Sequence, residues 1–478
     1  MSTVGIDAIS YYVPQLYLDL KDLAAERGIE YLKLNKGLGL SKMAVPDVDE
    51  DAASFAANAL LNIIKDNDID PRTVGRIYLG TESALDAAKP TITYAIKAVE
   101  DQLEAEYGAR CFKNCDVVDM TFACVGAVDA MHNSIDWVSN GDQRKAIVIA
   151  SDIAKYDLGS TGEYTQGAGA VAVLITKEPG LLAISPTWGV ATRSVGDFFK
   201  PRRVFDKVGL LVETAEILGR SITREYAEEI LQNTPSKFWE AVNDKVELFK
   251  EEPVFDGPYS NECYKERIDE AFEHFNNQSN TEVIEDWQHL VFHLPYAFQA
   301  RRMIFTKWLG WSKQNGDYDK LVAEVGNPNQ DDMKTWLKAA SKSQVYKSFV
   351  QSKIAAGERA SSDIGNMYTA SIFMSLLSVF NDAVEKEKDI KGEKVGFFSY
   401  GSGSKSKVFE GVVQEGWQTK LQAQDLFDKL DARSPIDMKT YERLHNNMNI
   451  DAISNGGSAR LVKIEDAPLS EGLRTYGF

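Results

Sequence analysis

The sequence predicts an α/β protein built as two α/β portions around a helical insertion. Three observations lead there. Residues 1–176 alternate β-branched apolar runs with amphipathic helical runs. Residues 366–478 repeat a buried helix and strand–turn–strand elements, which fits a pseudo-duplicated architecture. Between them, residues 203–250 carry helical periodicity dense in charge, with only Gly209 and Gly219 to interrupt it.

The elements follow in order. "TVGIDAI" reads as a first strand, and "DEDAASFAANALLNIIKDN" as a helix whose acidic start suits the positive end of the helix dipole. "VGRIYLGTES" is a buried strand ending in a turn. "KPTITYAIKAVEDQLEAEYG" is a helix with Pro90 near its first turn and Gly108 at its end. "DVVDMTF" is a strand, and Cys124 opens the helix "CVGAVDAMHNSIDWVSNG", whose apolar residues Cys124, Val128, Met131, Ile135 and Val138 form one inward stripe. "RKAIVIASDIA" and "GAGAVAVLIT" close a sheet expected to be mostly parallel. Residues 260–276 and 333–350 read as helices. "NMYTASIFMSLLSVFNDAVEK" is a helix with almost no polar face, hence buried. "EKVGFFSYGSGSKSKVFEGVVQ" is two strands around a Gly-Ser turn, and "NGGSARLVKIED" holds a late strand.

Composition excludes several function classes. The 478 residues contain 44% hydrophobic residues and no apolar run long enough for a membrane helix, so a soluble cytoplasmic protein is expected. A formal net charge of −18 argues against non-specific nucleic-acid binding. Four cysteines make no disulfide framework, and five scattered histidines make no zinc site. His289 and His293 would lie along a strand, too far apart to share a metal. An anionic small ligand would need a local basic patch, and three pairings offer one: Lys200 with Arg202 and Arg203, Arg301 with Arg302, and Lys405 with Lys407.

Five stretches carry candidate chemistry. Cys124, at a strand-to-helix joint, stands where unpaired N–H groups stabilise a thiolate and can hold the oxyanion of thiolate attack on a carbonyl, and it equally fits an inert buried cysteine. Glu82 follows a buried strand, where a desolvated carboxyl can act as acid and base in turn, though the stretch by itself reads more readily as a surface turn. His293 stands at a strand end before Pro295, able to hold a carbonyl oxygen or orient a nucleophile, or else a satisfied structural histidine. Asn366 precedes a buried helix, where it also fits a simple N-cap. "SYGSGSKS" lets backbone approach a ligand closely, or makes a plain turn.

Taken in order, "GIDAISYYVP", "GTESALDAAKP", the cysteine joint, "ASDIAKYDLGSTGEYTQGAGAVAVLI", "GDFFKP", "HLPY", "GNMYTAS" and "FFSYGSGS" make the chain resemble the hydroxymethylglutaryl-CoA synthase family of the thiolase-like superfamily. The resemblance covers most of the chain outside the helical middle. It implies a five-layered α/β fold of two pseudo-duplicated halves, residues 1–176 and 177–478, with the insertion near 203–250 in the second. It also implies condensation of acetyl-CoA with acetoacetyl-CoA and water to 3-hydroxy-3-methylglutaryl-CoA and CoA in the mevalonate pathway, usually by a homodimer. CoA thioesters would be substrates, with no metal or redox cofactor. Residue by residue, Cys124 maps onto the acetylated nucleophile, Glu82 onto the acid–base, and His293 onto the group positioning acetoacetyl-CoA. Asn366 maps onto a residue helping to hold that substrate, and Ser402 onto the oxyanion-hole N–H partner of Cys124. Tyr156 and Asp197 map onto residues tuning acetylation and condensation. Where relatives carry a CoA-facing lysine five residues past the histidine, this chain has Phe298, which leaves Arg301, Arg302 and Lys200 as the CoA-phosphate candidates. Gly196 precedes Asp197 where many relatives have a tyrosine-rich "YDFYKP". The rival functions are a carrier-protein-dependent synthase of polyketide β-branching, disfavoured by the acidic charge, and a non-catalytic acyl-CoA-binding scaffold.

Overall fold

The computed structural model describes residues 3–234, 239, 244–423, 425–448, 450–454 and 456–478. The chain forms two compact units, Met1–Asp197 with Gly257–Phe478, and Phe198–Asp256.

The larger unit is organised by one nine-stranded sheet. Its centre is the antiparallel pair Val4–Tyr12 and Leu182–Thr192, which touch over only three residue pairs, from Val4↔Ile184 to Ile6↔Leu182. Outward from Val4–Tyr12 come Gly167–Lys177, Ala146–Ala154, Arg76–Gly80 and Asp116–Met120. Outward from Leu182–Thr192 come Lys405–Val413, Lys394–Gly401 and His289–Phe292. Both sides therefore run first strand, last strand, penultimate strand, earlier strand, which is the pseudo-duplication anticipated from the sequence. The sheet is not mostly parallel. Arg76–Gly80 runs parallel to both its neighbours, and His289–Phe292 runs parallel to Lys394–Gly401, while the central pairings are all antiparallel. Parallel neighbours arise where helices cross between strands. On each side the last strand instead returns directly beside the penultimate one.

Strand alternation distributes side chains to separate helical layers. Ala146, Val148 and Ala150 face an inner core with Val171 and Val173, around helices Gly126–Ser139 and Ser371–Glu385. Ile147 and Ile149 face the opposite way, onto helices Ala52–Asp66 and Thr91–Tyr107. On the other side Phe397 and Phe409 join the inner core. Phe398, Tyr400 and Val408 face helices Gly257–Ser279, Phe305–Asn315 and Gln344–Lys353. The result is α-β-α-β-α, five layers, with the two inner helices nearly enclosed.

The smaller unit differs from its helical reading. Strands Arg202–Asp206 and Lys245–Phe249 pair within it, and among the described residues the helices Lys207–Ile217 and Arg224–Asn233 lie between them. The helix Lys207–Ile217 has no buried residue. The segment Lys245-Val246-Glu247-Leu248 alternates charged with apolar residues, a ribbon signal that surrounding charge disguises. Residues 235–238 and 240–243 of the helical reading, and residue 455 of the late-strand segment, lie outside the described residues. Among the described residues no helix is long and apolar enough to cross a membrane.

Candidate active site

Cys124 does not begin a helix; it stands two residues ahead of one. The strand Asp116–Met120 ends, Ala123 takes a left-handed φ of 36°, the Val125 N–H bonds to the Phe122 carbonyl at 3.0 Å, and the helix begins at Gly126. A left-handed non-glycine residue costs on the order of 1 kcal/mol and persists only where its surroundings fix it. Two glycines do the fixing. A Cβ on Gly126 would lie 2.6 Å from the Met120 carbonyl oxygen, and one on Gly80 would lie 2.2 Å from the Ala127 nitrogen. The helix start is thus pressed against the end of Arg76–Gly80, from which the chain turns to Glu82. The Cys124 thiol donates to Glu82 Oε1 at 3.1 Å. Cys124 is buried and Glu82 half-buried.

A residue that sequence reasoning missed holds this pair together. Asp152, fully buried, accepts from the Thr81 hydroxyl at 2.9 Å and the Glu82 N–H at 2.8 Å through one oxygen. Its other oxygen accepts the Thr369 N–H at 3.0 Å, and the Thr369 hydroxyl accepts the Ala127 N–H at 2.9 Å. One carboxylate therefore couples the glutamate loop to the first turn after the cysteine. Its signal was a lone acid inside the apolar strand "AIVIASDIA".

His293 follows the strand His289–Phe292, tied to the sheet by its N–H to the Phe398 carbonyl at 3.0 Å. Its Nδ1 lies 2.6 Å from the Ser371 hydroxyl, which also accepts the Leu294 N–H. Burial pulls the imidazole down from 6.5 to about 3, against a smaller opposing effect of the Tyr368 backbone, so the ring is neutral near pH 7. Tyr264 donates to the His293 carbonyl at 2.6 Å and stacks on Tyr400 at 4.4 Å.

Asn366 is not the cap of the long helix. Its side-chain oxygen accepts the Tyr368 N–H at 2.8 Å, closing the short turn that precedes Ser371. Tyr156 joins this group. Burial raises its phenol, the Cys124 and Glu82 charges add to that, and hydrogen bonds from Tyr368 and Asn366 act the other way. Cys124, Glu82 and Asn366 thus gather around Tyr156.

Asp197 holds the Gly-Ser turn that carries Ser402. Asp197, fully buried, accepts from the Tyr400 hydroxyl at 2.7 Å, the Gly403 N–H at 2.8 Å and the Ser260 hydroxyl at 3.1 Å. It therefore fixes the Gly-Ser turn rather than lining the surface. Gly401 brings that turn onto the cysteine joint, since a Cβ there would lie 2.7 Å from Val125 Cγ1 and 2.8 Å from the Phe122 carbonyl oxygen. Ser402 follows immediately.

Comparison with known proteins fits this geometry. Family models for the N-terminal and C-terminal parts of hydroxymethylglutaryl-coenzyme A synthase match residues 1–179 and 237–453. The chain belongs to the hydroxymethylglutaryl-CoA synthase family. Among its relatives, the hydroxymethylglutaryl-CoA synthase of Haloferax volcanii is 28% identical over 93% of this chain and 92% of that protein. The one from Enterococcus faecalis is 27% identical, over 92% and 91%. Among solved structures, MvaS in complex with 3-hydroxy-3-methylglutaryl coenzyme A superposes with a TM-score of 0.74 at 26% identity, covering 100% of this chain and 99% of that one. An HMG-CoA synthase complexed with CoA gives 0.67 at 25%, with 99% of each covered.

Against that family's pattern, the basic candidates are heavily engaged within the protein. Arg301 pairs bidentately with Glu358, through Nε to Oε1 at 2.9 Å and Nη2 to the other oxygen, and lies 3.6 Å above the Phe298 ring. Arg302 donates to the Gly37 carbonyl at 2.7 Å, holding the turn Lys33–Leu38. Phe298 receives the same turn, its N–H bonding the Leu38 carbonyl and its ring filling the place of a Gly39 Cβ. Lys200 belongs to the smaller unit, where it is half-buried.

Proposed function

We propose that this chain condenses acetyl-CoA with acetoacetyl-CoA and water to 3-hydroxy-3-methylglutaryl-CoA and CoA, the synthase step of the mevalonate pathway. The observation that carries the proposal is the Cys124 thiol bonded to Glu82 at 3.1 Å, inside a chain matched along most of its length by this family.

Each step has a residue suited to it. The Cys124 sulfur attacks the acetyl carbonyl and expels CoA thiol, which leaves an acetyl-cysteine and holds the acetyl group in place for an oriented reaction. The N–H groups of Cys124 and Ser402 would receive the oxyanion. Glu82 removes a proton from the acetyl methyl group. The resulting carbanion attacks the ketone of acetoacetyl-CoA, and the alkoxide recovers that proton from Glu82. His293, kept neutral by burial, donates to the acetoacetyl carbonyl. Asn366 and Tyr156 shape the pocket, and Asp197 holds the Ser402 turn. Water then cleaves the enzyme thioester and regenerates the thiol. No metal or redox cofactor takes part in this sequence. Arg301 and Arg302, both in the larger unit, are candidates for holding CoA phosphates, and a cytoplasmic homodimer is the expected setting.

Mass spectrometry of products from the two thioesters tests the proposal. Hydroxymethylglutaryl-CoA that vanishes in Cys124→Ala is the expected result. An acetyl group on Cys124 without product redirects the search to carrier-protein substrates. Neither product nor adduct overturns the proposal.

A further inference from the structure

Lys405 and Lys407 read as a basic pair in the sequence, yet they form no surface patch. Lys407 is 7% exposed, and its ammonium lies 2.8 Å from Asp129 Oδ1 and 3.0 Å from His132 Nδ1. Lys405 donates to the other oxygen of Asp129 and sits 4.0 Å above the Phe122 ring. The His132 ring stacks on Trp188 at 4.0 Å. Burial lowers the proton affinity of Lys407, with Asp129 opposing, and that of His132, which Lys407 lowers further. Charges as enclosed as Asp129, Lys407 and the half-buried Lys405 seldom add net stability, because desolvation offsets their attraction. Their position suggests another role.

Asp129 lies in the first turn of the helix behind Cys124. Lys405 is the cross-strand partner of Gly401, the residue before Ser402, and Lys407 is the partner of Ser399. The cluster thus bridges two stretches of backbone, Phe122–Val125 and Gly401–Ser404, that already touch with no room for a Cβ on Gly401. We infer that Asp129, Lys405 and Lys407 form a buried clamp that fixes the separation of these two stretches, so that the Cys124 and Ser402 N–H groups converge on one oxyanion. The three are positioning residues, and the inference rests on the proposed condensation.

A loosened donor pair should slow acyl transfer without weakening substrate binding. Loss of one oxyanion donor typically lowers kcat about 10²–10³-fold, so partial displacement should lower it at least ~10-fold. The test uses the full chain with Lys405→Met, Asp129→Asn and the conservative Lys405→Arg. Lys405→Met should lower kcat and the rate of acetyl-Cys124 formation about tenfold or more, leave both KM values within about twofold, and be largely rescued by arginine. A triple change, Asp129→Leu with Lys405→Met and Lys407→Met, should melt no lower than wild type yet stay slow. Folded variants with wild-type kcat overturn the clamp. Inactivity of the wild-type chain itself would refute the proposed function instead. The clamp is then read from amide hydrogen exchange, which Lys405→Met should speed about tenfold at Phe122–Val125 and Gly401–Ser404, and unchanged exchange there overturns it.

Discussion

Acidification should weaken this fold through His293. The ring is 2% exposed, and burial moves its titration from 6.5 to about 3. Between those values the unfolded chain binds a proton that the native chain refuses, so stability falls as pH falls. The contribution is whole above about pH 6.5. Each pH unit below that removes about 1.4 kcal/mol, so about 2 kcal/mol is lost by pH 5 and about 5 kcal/mol by pH 3. His293→Gln removes this titration while keeping a polar group beside Ser371. The stability gap between wild type and variant, from guanidinium unfolding followed by tryptophan fluorescence, should therefore shrink by about 2 kcal/mol between pH 7.5 and 5. Buried acids such as Glu50 and Glu358, whose protonation is favoured by burial, are common to both proteins and cancel in the comparison. A gap that stays constant across that range would refute the neutral, desolvated imidazole. It would also remove the reason for treating His293 as an uncharged donor to substrate.

Three further outcomes follow from the same contacts. Asp152→Ala strands the Thr81 hydroxyl and the Glu82 and Thr369 N–H groups. It should cost about 3 kcal/mol and slow acetyl-Cys124 formation, as read by thermal melting and mass spectrometry. Arg301→Met leaves Glu358 buried without its bidentate partner and should cost about 3 kcal/mol or more, a loss that adding Glu358→Gln recovers in melting experiments. Gly80→Ala places a methyl group 2.2 Å from the Ala127 backbone and should destabilise by about 1–3 kcal/mol or more, and a variant melting with wild type would contradict the tight helix start.

Much of this architecture was legible because burial writes itself into periodicity. The helix Ser371–Glu385 shows no polar face because it lies between two sheet layers, and "AIVIASDIA" is apolar at every other position and its neighbours because both of its faces are covered. The motif-bearing residues were legible too, and Glu82, Cys124, Tyr156 and Asn366 meet in one place. What periodicity cannot carry is a partner far along the chain. Asp152 gains its role from Thr81 and Thr369, and Asp129 gains its own from Lys405 and Lys407. Asp129, read locally, is ordinary, and Asp152, a lone acid in an apolar strand, hints at burial without naming its partners. The helix start was misplaced by two residues because the left-handed Ala123 is dictated by Gly80 and Gly126 packing across the joint. The direction of the central strands likewise depends on which neighbour each strand meets, which no local pattern encodes.

The narrow seam at the middle of the sheet has a consequence for how the chain is made. Val4–Tyr12, the strand on which both halves meet, pairs among the described residues with residues 170–177 and 182–184. On a ribosome these partners follow roughly 160–180 residues later, about 10–30 s at ordinary elongation rates of ~5–20 residues/s. For that interval an apolar segment, "VGIDAISYY", has the helix Ala52–Asp66 to pack on but lacks its strand neighbours. Synthesis rate and the chaperones that shield nascent chains should therefore govern the yield of this protein more than its final stability does.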